Sequence, residues 1–325
     1  MELTDTFGRT INYLRLSVTD RCNMRCVYCM PAGGIPKLAH DAILSYEELL
    51  LIAQTAVAAG IEKIRVTGGE PLVRKGIIPF LTRLSSIPGL RQLVLTTNGL
   101  QLREMAESLR QAGVQRLNIS LDSLRPEIFA DITRGGDVHR VMAGIAAAER
   151  AGFPLKINVV VMRGINDQEI LDFAALTLDR PLTIRFIEYM PAIRSDDWES
   201  RIVPGETILD RIGQRFSFTP LERDGLAGPA RTFRIDGAAG TIGVITPVFG
   251  HFCGECNRIR VTATGRARSC LFSDTGVDLK PLLASGDEAG LAAALRAIVV
   301  QKPGRHSLAE TEQQYTPFVM SAIGG

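Results

Sequence analysis

The sequence has almost no net charge: 37 lysines and arginines stand against 35 aspartates and glutamates, a formal +2 over 325 residues. That balance leaves no global field to steer the chain onto nucleic acid or a membrane surface, so an anionic ligand has to be met by locally placed cations. There is no apolar run approaching the roughly 18 uninterrupted residues of a membrane span. Met1-Glu2-Leu3-Thr4-Asp5 has no basic stretch leading into an apolar one. No secretory leader is therefore expected, and the expected compartment is the cytoplasm, where thiols stay reduced. Low-complexity tracts are missing, as are internal repeats beyond a βα period. With 46% hydrophobic and 22% charged residues the chain can fill a large core without disulfides, which excludes a stapled small scaffold and a disordered chain.

Cysteine is scarce and strictly grouped. All six fall into two triplets, Cys22, Cys26, Cys29 and Cys253, Cys256, Cys270. Around the first triplet the chain alternates short β-branched runs with longer helical patterns, the signature of βα units around a parallel sheet. The strand candidates are residues 13–18, 61–67, 92–96, 115–121, 155–161 and 182–187. Helical patterns lie between them at about 46–59, 77–86, 100–112, 138–151 and 168–178. Ser45 with Glu48 reads as a capping box, and Gly60, Gly113 and Gly152 sit where helices stop. This predicts an α/β fold with six βα units, not eight. Residues 1–191 form the barrel; residues 192–325, after a charged stretch at 194–204, form a smaller C-terminal α+β region with strands near 232–235, 240–246 and 258–262 and helices near 206–215 and 291–300.

Active residues of a βα barrel collect at the C-terminal ends of the strands. Thr67-Gly68-Gly69-Glu70-Pro71, Thr96-Thr97-Asn98-Gly99, Ser120-Leu121-Asp122-Ser123 and Glu188-Tyr189-Met190-Pro191 all follow a predicted strand. Any one of them could merely make a turn; four along one rim, beside a cysteine loop, favour a site.

Cys22-Asn23-Met24-Arg25-Cys26-Val27-Tyr28-Cys29 places three soft ligands on one loop, a set that selects zinc or iron–sulfur over harder ions. Structural zinc takes four closed ligands, and no fourth cysteine or histidine is near. A four-iron cluster on three cysteines leaves one iron open. The spacing Cys-x3-Cys-x2-Cys, with an aromatic before the third cysteine, resembles the radical S-adenosylmethionine (SAM) family, as does Gly68-Gly69-Glu70-Pro71. The resemblance implies a partial (β/α)6 TIM-type barrel and a [4Fe-4S] cluster on Cys22, Cys26 and Cys29 whose open iron chelates SAM. It places Tyr28, Gly69, Ser120 and Met190 around SAM and implies a 5′-deoxyadenosyl radical as the product of one-electron cleavage. Met24 stands where this family usually has an aromatic.

The second triplet, Cys253-Gly254-Glu255-Cys256 followed by Cys270, admits zinc with His251 as fourth ligand as well as a second open cluster. Arg258 and Arg260 alternate on the strand that follows, an arrangement that suits phosphate or, equally, a solvated face. Arg15 lies inside the first strand, where a charge needs a partner or a cavity. Lys156 on the fifth strand reads either as a site residue or as a surface lysine with its stem laid on apolar groups. Both triplets together, with Leu14-Arg15-Leu16-Ser17-Val18-Thr19-Asp20-Arg21, Ile64-Arg65-Val66-Thr67, Arg185-Phe186-Ile187-Glu188 and the terminal Gly324-Gly325, resemble the branch of the radical SAM family that cyclises GTP at the start of molybdenum cofactor biosynthesis.

That resemblance implies a second [4Fe-4S] cluster on Cys253, Cys256 and Cys270 binding the guanine. It also implies that GTP is held by Arg15, Arg65, Thr96, Lys156, Arg258, Ile259 and Arg260. Hydrogen would be abstracted from the ribose 3′ carbon, an external donor would supply the electron, and the product would pass to a cyclic pyranopterin monophosphate synthase. The Gly-Gly tail reads as a frayed end, a conjugation tail or, by resemblance, a segment reaching the site. Alternatives are another radical SAM enzyme with an auxiliary cluster, such as a peptide modifier, and a non-catalytic zinc- or nucleotide-binding regulator. A homodimer is compatible with the sequence.

Overall fold

The computed structural model describes residues 3–36, 38–190, 198–223, 225–250, 252–273, 275–306 and 320–323. In chain order the first half runs β1 (Tyr13–Ser17), α1 (Tyr46–Ala58), β2 (Lys63–Thr67), α2 (Ile77–Ser85), β3 (Gln92–Thr97), α3 (Leu102–Gln111), β4 (Arg116–Ser120), α4 (Pro126–Thr133), α5 (Val138–Arg150), β5 (Leu155–Val161), α6 (Ile170–Asp179) and β6 (Thr183–Glu188). It continues through α7 (Gly205–Gly213), β7 (Phe218–Leu221), β8 (Arg231–Ile235), β9 (Thr241–Ile245), β10 (Arg258–Val261), β11 (Arg266–Arg268), β12 (Val277–Asp278), α8 (Lys280–Ser285), α9 (Glu288–Val300) and α10 (Met320–Ile323).

The six strands expected from the β-branched runs form, and they pair in sequence order as parallel neighbours. Local chemistry explains the punctuation. Ser45 Oγ accepts from Glu48 N at 3.1 Å while Glu48 Oε2 accepts from Ser45 N at 2.6 Å, the reciprocal cap that starts α1. Gly113, at φ +85°, takes the left-handed turn that ends α3 where a side chain would be strained. Among the barrel helices α4 is absent from the sequence expectation, with Pro126 at its first turn as the local signal for it, and in the C-terminal region so are α8 and α10.

The C-terminal region builds onto the barrel's own sheet. Among the described residues one sheet carries the twelve strands in the order β12-β11-β10-β1-β2-β3-β4-β5-β6-β9-β8-β7. β10 lies parallel to β1 and β9 parallel to β6, so the parallel stretch has eight strands, two of them from the C-terminal region. The remaining strands add antiparallel at the two ends. The predicted boundary between residues 191 and 192 lies outside the described residues, as does the first part of the charged stretch at 194–204, which is described from residue 198 on.

Period-two alternation then sorts the side chains. Leu14, Leu16, Ile64, Val66, Leu95, Leu117, Ile119, Ile157, Ile184 and Phe186 pack into the core beneath the helices. The alternate positions carry Arg15, Arg65, Thr96, Ser120, Asn158, Arg185, Arg258 and Arg260, all lining a single interior cavity.

Candidate active site

That cavity, about 270 Å³, is lined by all six cysteines. The first cysteine loop is anchored from two sides. On one, Gly69 N donates to the Thr19 carbonyl and Glu70 N to that of Arg21, both at 2.8 Å. A Cβ on Gly69 would lie 2.3 Å from the Arg21 oxygen, so only glycine permits the approach. The Glu70 carboxylate is buried and ties β2 to β3, accepting from Leu72 N at 3.0 Å, Thr97 Oγ1 at 2.8 Å and Asn98 N at 2.6 Å. Burial pushes its pKa up to about 7. On the other side, the end of α4 meets the loop: Arg25 N and Val27 N donate to the Thr133 and Ile132 carbonyls. Arg134 Nη1 donates to the Arg25 and Met30 carbonyls, each at 2.9 Å. Tyr28 donates to Asp122 Oδ2 at 2.7 Å, and Asp122 also accepts from Val160 N at 2.8 Å.

The thiols fit a cationic cluster. Burial, then Asp122 and the neighbouring Cys29 and Cys22 thiols, push the Cys26 thiol well above its ordinary value. Burial likewise raises Cys22. Thiolates facing one another in a buried loop need a positive centre, which iron supplies. Cys22 Sγ already accepts from Met24 N at 3.4 Å and faces Asn98 Nδ2 at 3.9 Å, the backbone and amide donors that ligating sulfurs favour. Among the described residues no three Cys, His, Asp or Glu side chains converge on a single metal ion. Met24 is 5% exposed and closes the cavity wall.

Across the cavity, Cys253 is buried and Cys256 and Cys270 are half-buried. Arg9 Nη1 donates to the Cys253 carbonyl at 2.6 Å, and Arg9 Nε bonds Asp5 Oδ2 at 2.5 Å. Burial works to raise the Cys256 thiol, but Arg258 and Lys302 beside it bring it down to about 6. His251, the alternative zinc ligand, and the Gly324-Gly325 tail lie outside the described residues.

Between the triplets the interior is cationic. Arg15, Arg65, Arg185, Arg258 and Arg260 line the cavity, whose only carboxylates among the described residues are Glu70 and Asp122, both already hydrogen-bonded as above. Arg15 Nε, Arg65 Nε, Arg185 Nε and Arg258 Nη1 are buried with no hydrogen-bond partner. Burial, followed by the mutual repulsion of these groups, lowers Arg65 to about 10 and Arg185 to about 9, and lowers Lys63 to about 8. Lys156 is brought down to about 7 by the same two causes. Several buried guanidiniums around one cavity, four of them with a nitrogen left unbonded, mark a place for a polyanion.

The structure brings together Cys22, Cys26, Cys29, Tyr28, Gly69, Ser120, Met190, Arg15, Arg65, Thr96, Arg258, Arg260, Cys253, Cys256 and Cys270 on one cavity. Two expected residues stand apart. Ile259 is 1% exposed and packs in the hydrophobic core, because it has the opposite parity to Arg258 and Arg260 on β10; its side chain is corrected out of the site. Lys156 does not line the cavity and sits on β5 between Asn118 and Thr183. Sequence reasoning overlooked Arg185, Lys63, Tyr13 and Asn118. Arg185 reaches Asn118 Oδ1 at 2.5 Å, and Lys63 and Arg65 stand over the Tyr13 ring at 4.8 and 5.4 Å.

A six-unit βα barrel with a three-cysteine loop after its first strand and a glycine pair against that loop defines a radical SAM protein. Residues 16–177 match the Radical SAM superfamily, and residues 182–308 match the Molybdenum Cofactor Synthesis C family. The chain is 65% identical to the GTP 3′,8-cyclase of Geobacter sulfurreducens over 100% of both chains. It is 47% identical to that of Moorella thermoacetica, over 99% of this chain and 100% of the other. This chain belongs to the GTP 3′,8-cyclase family. Among solved structures, SuiB of Streptococcus suis bound to S-adenosylmethionine superposes with a TM-score of 0.61 at 14% identity, covering 90% of this chain and 69% of the other, a likeness of fold.

Proposed function

We propose that the chain converts GTP to (8S)-3′,8-cyclo-7,8-dihydroguanosine 5′-triphosphate, the first step of molybdenum cofactor biosynthesis. The observation that carries this reading is one cavity with a cysteine triplet on each side and, between them, buried guanidiniums each with a nitrogen left unbonded. Cys22, Cys26 and Cys29 would hold the [4Fe-4S] cluster that meets SAM. Gly69 offers backbone at the cluster loop, and Tyr28, Ser120 and Met190 wall the same end. Cys253, Cys256 and Cys270 would hold a second [4Fe-4S] cluster facing the guanine. When bound, the first cluster supplies the electron that cleaves SAM to the 5′-deoxyadenosyl radical, which takes the ribose 3′ hydrogen.

The rest is positioning. Arg15, Arg65, Arg258 and Arg260 take the triphosphate as bidentate donors, with Thr96 alongside and Lys156 adding charge from the same face of β5 as Asn158, beyond the cavity lining. Ile259 contributes at most its backbone. Met24, Ile187, Ile245, Phe252 and Leu271 make the lining apolar elsewhere, which keeps water and competing hydrogen donors from the reacting carbon. An external one-electron donor and a following synthase for cyclic pyranopterin monophosphate complete the expected partners. The barrel at 1–191 and the second-cluster region at 192–325 divide the labour within one sheet.

Anaerobic reconstitution followed by incubation with SAM, GTP and a strong reductant tests the reading. About eight irons per chain, from two four-iron clusters, and GTP-dependent 5′-deoxyadenosine with a cyclised nucleotide are expected. Zinc at the second triplet, or deoxyadenosine formation indifferent to GTP, would overturn it.

A further inference from the structure

The structure assigns to Lys302 the role of positioning and electronically tuning the second cysteine set, an inference that rests on the second-cluster reading above. Lys302 follows α9, is 3% exposed and does not line the cavity. Its Nζ donates to the Arg258 carbonyl at 2.9 Å and to the Ser269 carbonyl at 2.7 Å. Those residues stand two after Cys256 and one before Cys270. The ammonium also stands beside the Cys256 sulfur and, after Arg258, holds that thiol down. Both of its hydrogen bonds go to backbone next to a cysteine of the second triplet. Two carbonyls alone call only for neutral donors; the partner that justifies burying a full positive charge is a thiolate.

The neighbouring geometry is built to hold this group still. Arg9 Nη2 donates to the Pro303 carbonyl at 2.8 Å while its Nη1 holds the Cys253 carbonyl, so the residue after Lys302 and the third cysteine segment hang on one guanidinium. With Cys256 and Cys270 fixed through Lys302 and Cys253 through Arg9, all three ligand segments are tied to the residue 302–303 turn. A fixed cation beside a ligating sulfur draws electron density from the metal centre. It therefore raises the reduction potential and leaves an open iron a better acceptor for a donor atom of the nucleobase. Arg258 and Arg260 are also close, but they face the cavity where substrate would meet them. Lys302 acts on the sulfur from behind.

The test uses the full chain with Cys22, Cys26 and Cys29 replaced by alanine, reconstituted anaerobically so that only the second cluster reports. Its midpoint potential is read by redox titration with electron paramagnetic resonance, alone and with Lys302→Met or Lys302→Arg added. The expected result is a reduction equilibrium at least tenfold less favourable in Lys302→Met, about 59 mV for one electron, largely restored in Lys302→Arg. Four irons with an unmoved midpoint in Lys302→Met would overturn the tuning role while leaving the cluster reading intact. Absence of iron in the background chain would remove the second-cluster reading itself. Should Lys302→Met fail to fold, the Lys302-containing chain labelled with 15N-lysine decides. A lysine nitrogen coupled to the cluster spin supports the proposal, and its absence overturns it.

Discussion

Lys156 converts the electrostatics of the interior into a measurable proton balance. Burial first, then Arg185, Arg116, Lys63 and Arg65, hold its pKa at about 7 against an ordinary 10.5. At pH 8 it is therefore mostly neutral in the empty protein. A bound triphosphate favours the charged form and raises that pKa, so binding takes up a proton, and affinity falls as pH rises above 7 by up to tenfold per unit. Tyr13 works in the same direction: burial raises it, but Arg65, Arg15, Lys63 and Arg258 bring it to about 7, and a triphosphate that absorbs their field returns the proton. Calorimetric titration of GTP at pH 8 in two buffers of different ionisation enthalpy is expected to show net proton uptake, reduced in Lys156→Met. No uptake in the unsubstituted chain would mean that these interior cations do not meet the phosphates. Gly69→Ala is a steric counterpart. Its Cβ would meet backbone 2.3 Å away, so the cysteine loop must move; SAM cleavage is expected to drop at least about tenfold, equivalent to about 1.4 kcal/mol.

At the scale of elements, α4 matters through its end. Arg134 adopts φ +55°, unusual for a residue with a side chain, and uses that turn to reach two carbonyls of the first cysteine loop. Arg134→Gly relieves the backbone but deletes both bonds. The expected outcome is a melting temperature within a few degrees of the original, with iron released to a chelator severalfold faster from the first triplet and unchanged from the second. Equal release from both would show the contact to be incidental. Nothing in the sequence marks this role, since Arg134 is a lone arginine in a loop. The six barrel strands and the start of α1 were legible because β-branched runs and a capping box are local signals. The strands near 240–246 and 258–262 were legible too, but not their neighbours: periodicity reports which way side chains face, whereas pairing β10 with β1 joins residues far apart in sequence. The alternation that singles out Arg258 and Arg260 also holds for Lys63-Ile64-Arg65 and for Arg185 between Ile184 and Phe186, so a charge at alternate positions of otherwise apolar strands is the signal that reaches Lys63 and Arg185.

For the whole molecule, near-neutrality conceals a sorted interior: the net +2 says nothing of five arginines turned onto one cavity. The same sorting makes the two halves interdependent. β10 covers β1 along Tyr13 to Leu16, and β9 covers β6 along Thr183 to Ile187. These are the two edges that a six-stranded barrel would otherwise leave open, and the core face of the strands beneath them is fully buried, with Leu14, Leu16, Ile184 and Phe186 all at 0% exposure. Bare edges of apolar parallel strands pair with other chains rather than with water. A chain ending at residue 191 keeps every residue of the first cysteine loop and of the SAM end, so if the barrel were autonomous it would fold and bind one cluster. The sheet topology predicts the opposite. Residues 1–191 alone are expected to elute as aggregates and to melt without a cooperative transition, whereas the full chain unfolds in one step that reports both cysteine sets together. Size-exclusion chromatography and far-ultraviolet circular dichroism decide between the two, and a monomeric fragment with a sharp melt would show that the added strands close a barrel already able to stand without them.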